Sequence, residues 1–326
     1  KNSSEVSENT RNLVIKTASK LGYKNATFAT PVIPASETGS NGTILFLTRT
    51  YASDSEFWTT VLRGIESILS NANYHLAISI MSDSDLKQLN FPQTISDSSI
   101  KGIILVEICD KVVCDALSQF NLPIVSVDMP NVPFEELNGI DVVTMESKKN
   151  LKKIINQLIE KGAESFGFVG DLYSPNVSRG FQERYNALSE CLAEHQLPLN
   201  QKNCLLHQTP EDFRNFQTTV NNLQAMISLP DVFICGNDWT AIQLIYALQF
   251  LGFQIPKDIC VVGFDNIPAA SRISPSLTTI STPQKYLGIA AARQILERIQ
   301  HPNCPHVFCQ YETELIIRNS TNITSF

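Results

Sequence analysis

The stretch DVFICGNDWTAIQLIYALQFLGFQIPKDICVVGF, residues 231–264, decides the fold. A short apolar run, DVFICG (231–236), leads into a helical segment, NDWTAIQLIYALQFLG (237–252). A second apolar run, DICVVGF (258–264), follows. Two short buried strands around one helix make a βαβ unit, which requires parallel strands with both sheet faces covered. Cys235 and Cys260 sit inside the two strands and read as small buried residues.

The same alternation extends in both directions. Upstream, strands are expected at 43–47, 75–80, 102–108, 123–128, 140–144 and 165–170. Helices are expected at 56–72, between 80 and 102, near 110–119, at 147–162, at 178–195 and near 211–228. Downstream, LTTI (277–280) is a short strand and residues 286–300 form a helix. HVFCQYETELIIR (306–318) runs extended. About ten strands are too many for one compact sheet in a chain of this length. The fold class is therefore α/β, with two doubly wound parallel-sheet lobes and a ligand crevice at the carboxyl ends of the strands.

Residues 1–25 differ in character. Ser7 is placed to cap a helix and Gly22 to close it. Leu13, Thr17 and Leu21, with Val14 and Ala18, form its apolar stripe. The segment carries net charge +3 on a chain whose total is −7, which points to an anionic partner for the head. Residues 26–42 lack periodicity and read as a linker.

Eight cysteines occur without a CxxC pair, so zinc-ribbon and thioredoxin chemistry are excluded and a reducing cytosol is expected. There is no signal-peptide pattern and no apolar run long enough for a bilayer. The motifs GxxxxGK[ST], GxGxxG after a strand, HExxH and GxSxG are all absent, and the five histidines are scattered. Nothing supplies a nucleophile with its base, so a binding protein is expected instead of an enzyme. No cofactor and no metal is expected.

Specific segments resemble LacI-type transcriptional regulators. Val6, Ser7, Thr10, Arg11, Val14, Ala18, Leu21, Gly22, Tyr23 and Asn25 are similar to the third helix of that family's DNA-binding headpiece. EFWTTVLRGIE (56–66), IKGIILV (100–106), ERYNALSECLAEHQLP (183–198), CGNDWTAI (235–242), IPKDICVVGFDNI (255–267), PSLTTISTP (275–283) and TELIIRNST (313–321) resemble its core motifs. The resemblance covers essentially the whole chain. It implies lobes like those of type I periplasmic binding proteins, preceded by a short helical remnant of the headpiece (1–25) whose first two helices lie outside this chain. The implied division is a first lobe of residues 43–145 plus 275–303, and a second of 146–274 plus 304–326. Pro31 would end any helix at its predecessor, so the family's hinge helix does not carry over.

The resemblance also implies site residues. Arg184 matches the family's effector-binding arginine, whose forked guanidinium suits vicinal hydroxyls or a carboxylate. Asp265 ends an apolar strand, and Asp128 ends PIVSVD in an equivalent place; each faces the crevice in this reading. Asn237 and Asp238 follow DVFICG, where either also suits a helix cap. Phe57 and Trp58 stand where the family has aromatic pocket walls, although a core role on an amphipathic helix is a strong alternative for at least one of them. Met129 takes the place of a stacking tryptophan found in purine-binding members, which favours a sugar or sugar phosphate effector.

The expected protein is thus a cytoplasmic, homodimeric repressor that switches affinity for operator DNA when a small effector binds. No membrane contact is expected. On its own, without a recognition helix, this acidic chain should bind DNA poorly. Two other readings remain: a periplasmic sugar-binding protein, and a regulator driven by a protein co-regulator.

Overall fold

The computed structural model describes residues 40–49, 55–172, 178–207 and 215–323. The expected headpiece helix and nearly all of the linker lie outside them. No helix among the described residues is long and apolar enough to cross a membrane.

The first lobe begins with β1 (Gly42–Thr48), α1 (Glu56–Asn71), β2 (Tyr74–Ile80) and the short α2 (Asp83–Gln88). It continues with β3 (Ile100–Val106), α3 (Lys111–Ser118), β4 (Ile124–Val127) and β5 (Asp141–Met145). The chain then passes to the second lobe: α4 (Lys149–Glu160), β6 (Phe166–Asp171), α5 (Arg179–Glu194) and β7 (Leu205–His207). There follow α6 (Phe216–Ala225), β8 (Val232–Cys235), α7 (Asp238–Phe250), β9 (Cys260–Asp265) and β10 (Thr278–Ser281). Helix α8 (Gln284–Gln300) and β11 (Phe308–Tyr311) return to the first lobe, and β12 (Glu314–Ile316) ends in the second.

Each lobe has a six-stranded sheet, ordered β11-β5-β4-β3-β1-β2 and β12-β10-β9-β8-β6-β7. Every pairing is parallel except β10 with β12. The central strands are buried on both faces, as in β8, where all four residues are inaccessible. That is why these strands read as continuous apolar runs instead of alternating ones.

Two expected boundaries are corrected by strand pairing. Residues 278–281, placed in the first lobe by the sequence reading, pair with Val262–Asp265 of β9 in the second. Residues 308–311, placed in the second lobe, pair with Val142–Met145 of β5 in the first. The single extended run expected at 306–318 is two strands in two different sheets. Strand β7 was not foreseen; its three residues give no periodic signal.

The chain therefore crosses between lobes three times, at 146–148, 282–283 and 312–313. Asn150 Nδ2 donates to the Thr313 carbonyl at 2.7 Å, tying two of these crossings together. The return from α8 to β11 is fixed by Arg298. Its guanidinium donates to both Asp141 oxygens, at 3.0 and 2.8 Å, and to the carbonyls of Pro302, Cys304 and Pro305. Helices α1 and α8 pack at backbone distance. A Cβ at Gly288 would stand 2.0 Å from the Val61 carbonyl oxygen, and one at Gly64 would stand 2.3 Å from that of Lys285.

Candidate functional site

The loops at the carboxyl ends of the two sheets meet. Arg179 N–H, at the start of α5, donates to the Met129 carbonyl at 2.9 Å, and Pro130 bridges to Ser178. Ala269 N–H of the second lobe donates to Glu56 Oε2 of the first at 3.3 Å.

Asp128 is the first residue beyond β4 and has φ 71°. A left-handed backbone at a non-glycine residue is uncommon and clusters at ligand sites. Asp128 is 8% exposed, and its Oδ1 accepts from Met129 N at 2.8 Å. Burial raises its pKa above the ordinary carboxylate value, opposed by the Met129 N–H, Arg184 and the Ser178 hydroxyl.

Arg184 projects from α5 and is 3% exposed. Its Nη1 donates to the Gly236 carbonyl at 2.6 Å. Its guanidinium carbon lies 3.6 Å from the centre of the Phe264 ring and 5.1 Å from that of Phe181. Burial lowers its pKa from the usual value, opposed by Asp265, Asp128, Glu183 and Asp238. Arg184 Nε and the nearby Ser147 Oγ are buried without a hydrogen-bond partner among the described residues. Gly180 opens the space between them. A methyl there would stand 3.4 Å from Arg184 Nη2, 3.5 Å from Ser147 Oγ and 3.6 Å from Asp128 Oδ2. An acidic group of the first lobe, a hydroxyl at the crossing and an arginine of the second thus converge within the width of one side chain.

Asp265 ends β9 with φ 116°. Burial pushes its carboxyl well above the ordinary range, with Arg184 opposing and Asp238 and Asp128 reinforcing the shift. Its backbone carbonyl accepts from Gln284 Nε2 at 2.7 Å and Thr282 Oγ1 at 3.2 Å. The strand end is thereby anchored to the start of α8. Asn237 caps α7, its Oδ1 accepting from Thr240 N at 2.9 Å, and it directly follows the carbonyl that holds Arg184.

Two expected site residues have other tasks. Asp238 is fully buried: Oδ1 accepts from Thr279 Oγ1 at 2.5 Å and Oδ2 from Ile267 N at 2.9 Å. Its carboxylate braces β10 and the turn after β9, because Gly263 leaves room that a Cβ 2.2 Å from Oδ1 would fill. Burial lifts its pKa to about 7, opposed by Thr279 and the Ile267 N–H. Phe57 is 7% exposed and belongs to the core. Trp58 is half-buried, stands edge-on to Phe57 at 4.6 Å, and donates through Nε1 to Glu107 Oε1 at 2.5 Å. Met129 is wholly buried. Ser147, Ser178, Gly180, Phe181 and Phe264 escaped the sequence reading because small residues and ordinary core aromatics carry no spacing signal.

Residues 155–321 match the family model described as periplasmic binding protein-like domain. The chain belongs to this family. Its relatives place this periplasmic binding protein-like body among LacI-type transcription regulators. The ribose operon repressor of Haemophilus influenzae is 26% identical over 97% of this chain and 90% of its own length. The repressor PurR of Photobacterium profundum is 26% identical over 82% of this chain and 78% of its own. A solved LacI family regulator from Enterococcus faecium with bound ribose superposes with TM-score 0.69 at 25% identity, covering 86% of this chain and 98% of that one. These relatives are regulators of transcription.

Proposed function

We propose that the cleft binds an uncharged, polyhydroxylated small molecule of the sugar class, and that binding switches the affinity of the full-length protein for operator DNA. The observation that carries this reading is the convergence of Asp128, Ser147 and Arg184 around Gly180. It supplies acceptors from one lobe and a forked donor from the other, the pattern that vicinal hydroxyls satisfy. The two unpartnered atoms there, Arg184 Nε and Ser147 Oγ, are buried polar groups of the kind that a bound hydroxyl completes. The names of the ribose repressor and of the ribose-bound regulator support the ligand class.

A sugar phosphate suits the site less well. Arg184 already faces four acidic groups, Asp265, Asp128, Glu183 and Asp238, so its charge is matched from within even where burial favours their protonated forms, and little of it is left for a phosphate dianion. In this reading Asp128, Arg184, Asn237 and Asp265 contact the ligand, Trp58 offers an aromatic wall, and Phe57 and Asp238 support from behind. The protein works as a cytoplasmic homodimeric repressor and not as an enzyme. Ligand spanning both lobes favours one lobe arrangement, and the three crossings carry that preference to the paired headpieces. The lobes are 43–145 with 284–311, and 149–281 with 314–323.

A thermal-shift and calorimetric screen of neutral pentoses and hexoses, with their phosphates, tests the reading. A neutral sugar should raise the melting temperature by mass action. The effect should vanish in Arg184→Ala and Asp265→Asn. A response confined to phosphorylated sugars, or one indifferent to both substitutions, overturns the assignment.

A further inference from the structure

We infer that Glu107 is a positioning residue of the effector cleft, which fixes the plane of the Trp58 indole against the first lobe. Val106 and Val127 are register partners in adjacent strands β3 and β4. The residue after each is acidic and left-handed: Glu107 with φ 59° and Asp128 with φ 71°. The two carboxylates therefore leave the same edge of the sheet side by side, and Asp128 is the one that meets Arg184.

Asp tolerates the left-handed region far better than Glu does. A longer side chain held there is strained, and such strain persists only where the surroundings over-determine it. At Glu107 the indole of Trp58 is one such determinant. Trp58 Nε1 donates to Glu107 Oε1 at 2.5 Å, a charge-assisted bond in a half-buried setting. Phe57, locked in the core, stands edge-on to the indole with ring centres 4.6 Å apart. The indole is thus held both at its nitrogen and by a perpendicular aromatic neighbour. An aromatic plate that is already oriented loses less freedom when a ligand ring stacks on it.

The test needs no ligand for its first arm. The chain has two tryptophans, so a Trp239→Phe background leaves Trp58 as the sole emitter. In that background Glu107→Ala should shift Trp58 emission to the red and raise its quenching by acrylamide. Glu107→Gln keeps an acceptor oxygen and should leave both unchanged. The second arm uses D-ribose as probe and rests on the sugar reading of the cleft. Glu107→Ala should weaken ribose binding about tenfold, a change of about 1.4 kcal/mol. Glu107→Gln should restore it. In a Trp58→Phe protein, which lacks the indole N–H, Glu107→Ala should cost little further. Unchanged emission and quenching in Glu107→Ala, or ribose losses that simply add, overturn the inference. Should Glu107→Ala fail to fold, altered emission in Glu107→Gln or full ribose affinity in Trp58→Phe overturns it instead. Absence of any ribose binding by the parent protein counts against the sugar reading alone, and the fluorescence arm still decides the role of Glu107.

Discussion

The Arg184 guanidinium carbon lies over the ring of Phe264, 3.6 Å from its centre, and Phe264 is the residue immediately before Asp265. One core aromatic at the end of β9 therefore sets the height of the cation, and its neighbour supplies the facing carboxylate. Arg184 Nη1 is fixed by the Gly236 carbonyl, at the end of β8. The arginine is positioned by two strand ends before any ligand arrives, which lowers the ordering cost of binding.

Arg184→Lys should therefore abolish most ligand binding while leaving a folded protein. An ammonium lacks the planar fork and stacks poorly. Calorimetry should show neutral-sugar affinity reduced about a hundredfold, in line with the ~1.5–3 kcal/mol carried by a charge-assisted bond. Retained affinity would mean that the guanidinium supports the fold and not the ligand.

Asp238 and Asp265 should separate cleanly. Asp238→Ala leaves the Thr279 hydroxyl and the Ile267 N–H buried without their acceptor, at ~1–3 kcal/mol each. Asp265→Asn keeps a residue type that accepts positive φ, and the bonds from Thr282 and Gln284 use the backbone carbonyl, so stability should change by less than ~1 kcal/mol. Urea melts read the first effect and ligand titration the second. A large stability loss in Asp265→Asn would contradict this division.

The buried Asp238 carboxyl also predicts a pH dependence. Its folded pKa, about 7, lies above the ordinary value of 3.8, so the folded state holds the proton more tightly than the unfolded chain. This contribution is complete below pH 4 and is lost as pH rises towards 7, by up to ~4 kcal/mol. Asp265 and Asp128 are shifted in the same direction and add to the trend. Urea melts across pH 4–8 should show the wild type losing stability relative to Asp238→Asn as pH rises through 7, with the relative change levelling off near pH 8. A wild type that gains stability relative to the variant as pH rises would refute it.

Arg298→Ala removes Asp141's buried charge partner among the described residues, and frees three carbonyls of the return to β11. Breaking a buried pair from one side costs ~3–5 kcal/mol. The loss should appear in urea melts, with early hydrogen exchange of residues 302–311. Equal protection there in both proteins would show that the clip is dispensable.

Gly288→Ala tests the contact of α1 with α8. The added methyl would meet the Val61 carbonyl, which cannot move without shifting α1. Overpacking of this kind costs ~1–3 kcal/mol, whereas the same substitution in an open helix would be favourable. A more stable Gly288→Ala protein would disprove the close approach.

The sequence by itself determined the βαβ alternation, the two-lobe count and the candidate carboxylates at strand ends. Apolar runs of strand length between amphipathic helices are local patterns, and DICVVGF followed by Asp265 declares both a buried strand and the acid at its tip. Tertiary structure alone decided which sheet each late strand joins. Residues 306–318 read as one extension because period-two patterning is blind to partners; only pairing with β5 and then β10 divides it at the third crossing. Tertiary structure also separated Asp238 from Asp265. Both are acids next to a strand end, yet the missing side chain at Gly263 draws the Asp238 carboxylate inward to Thr279. A carboxylate's task depends on the donors that surround it, and those donors come from strands that are distant in sequence.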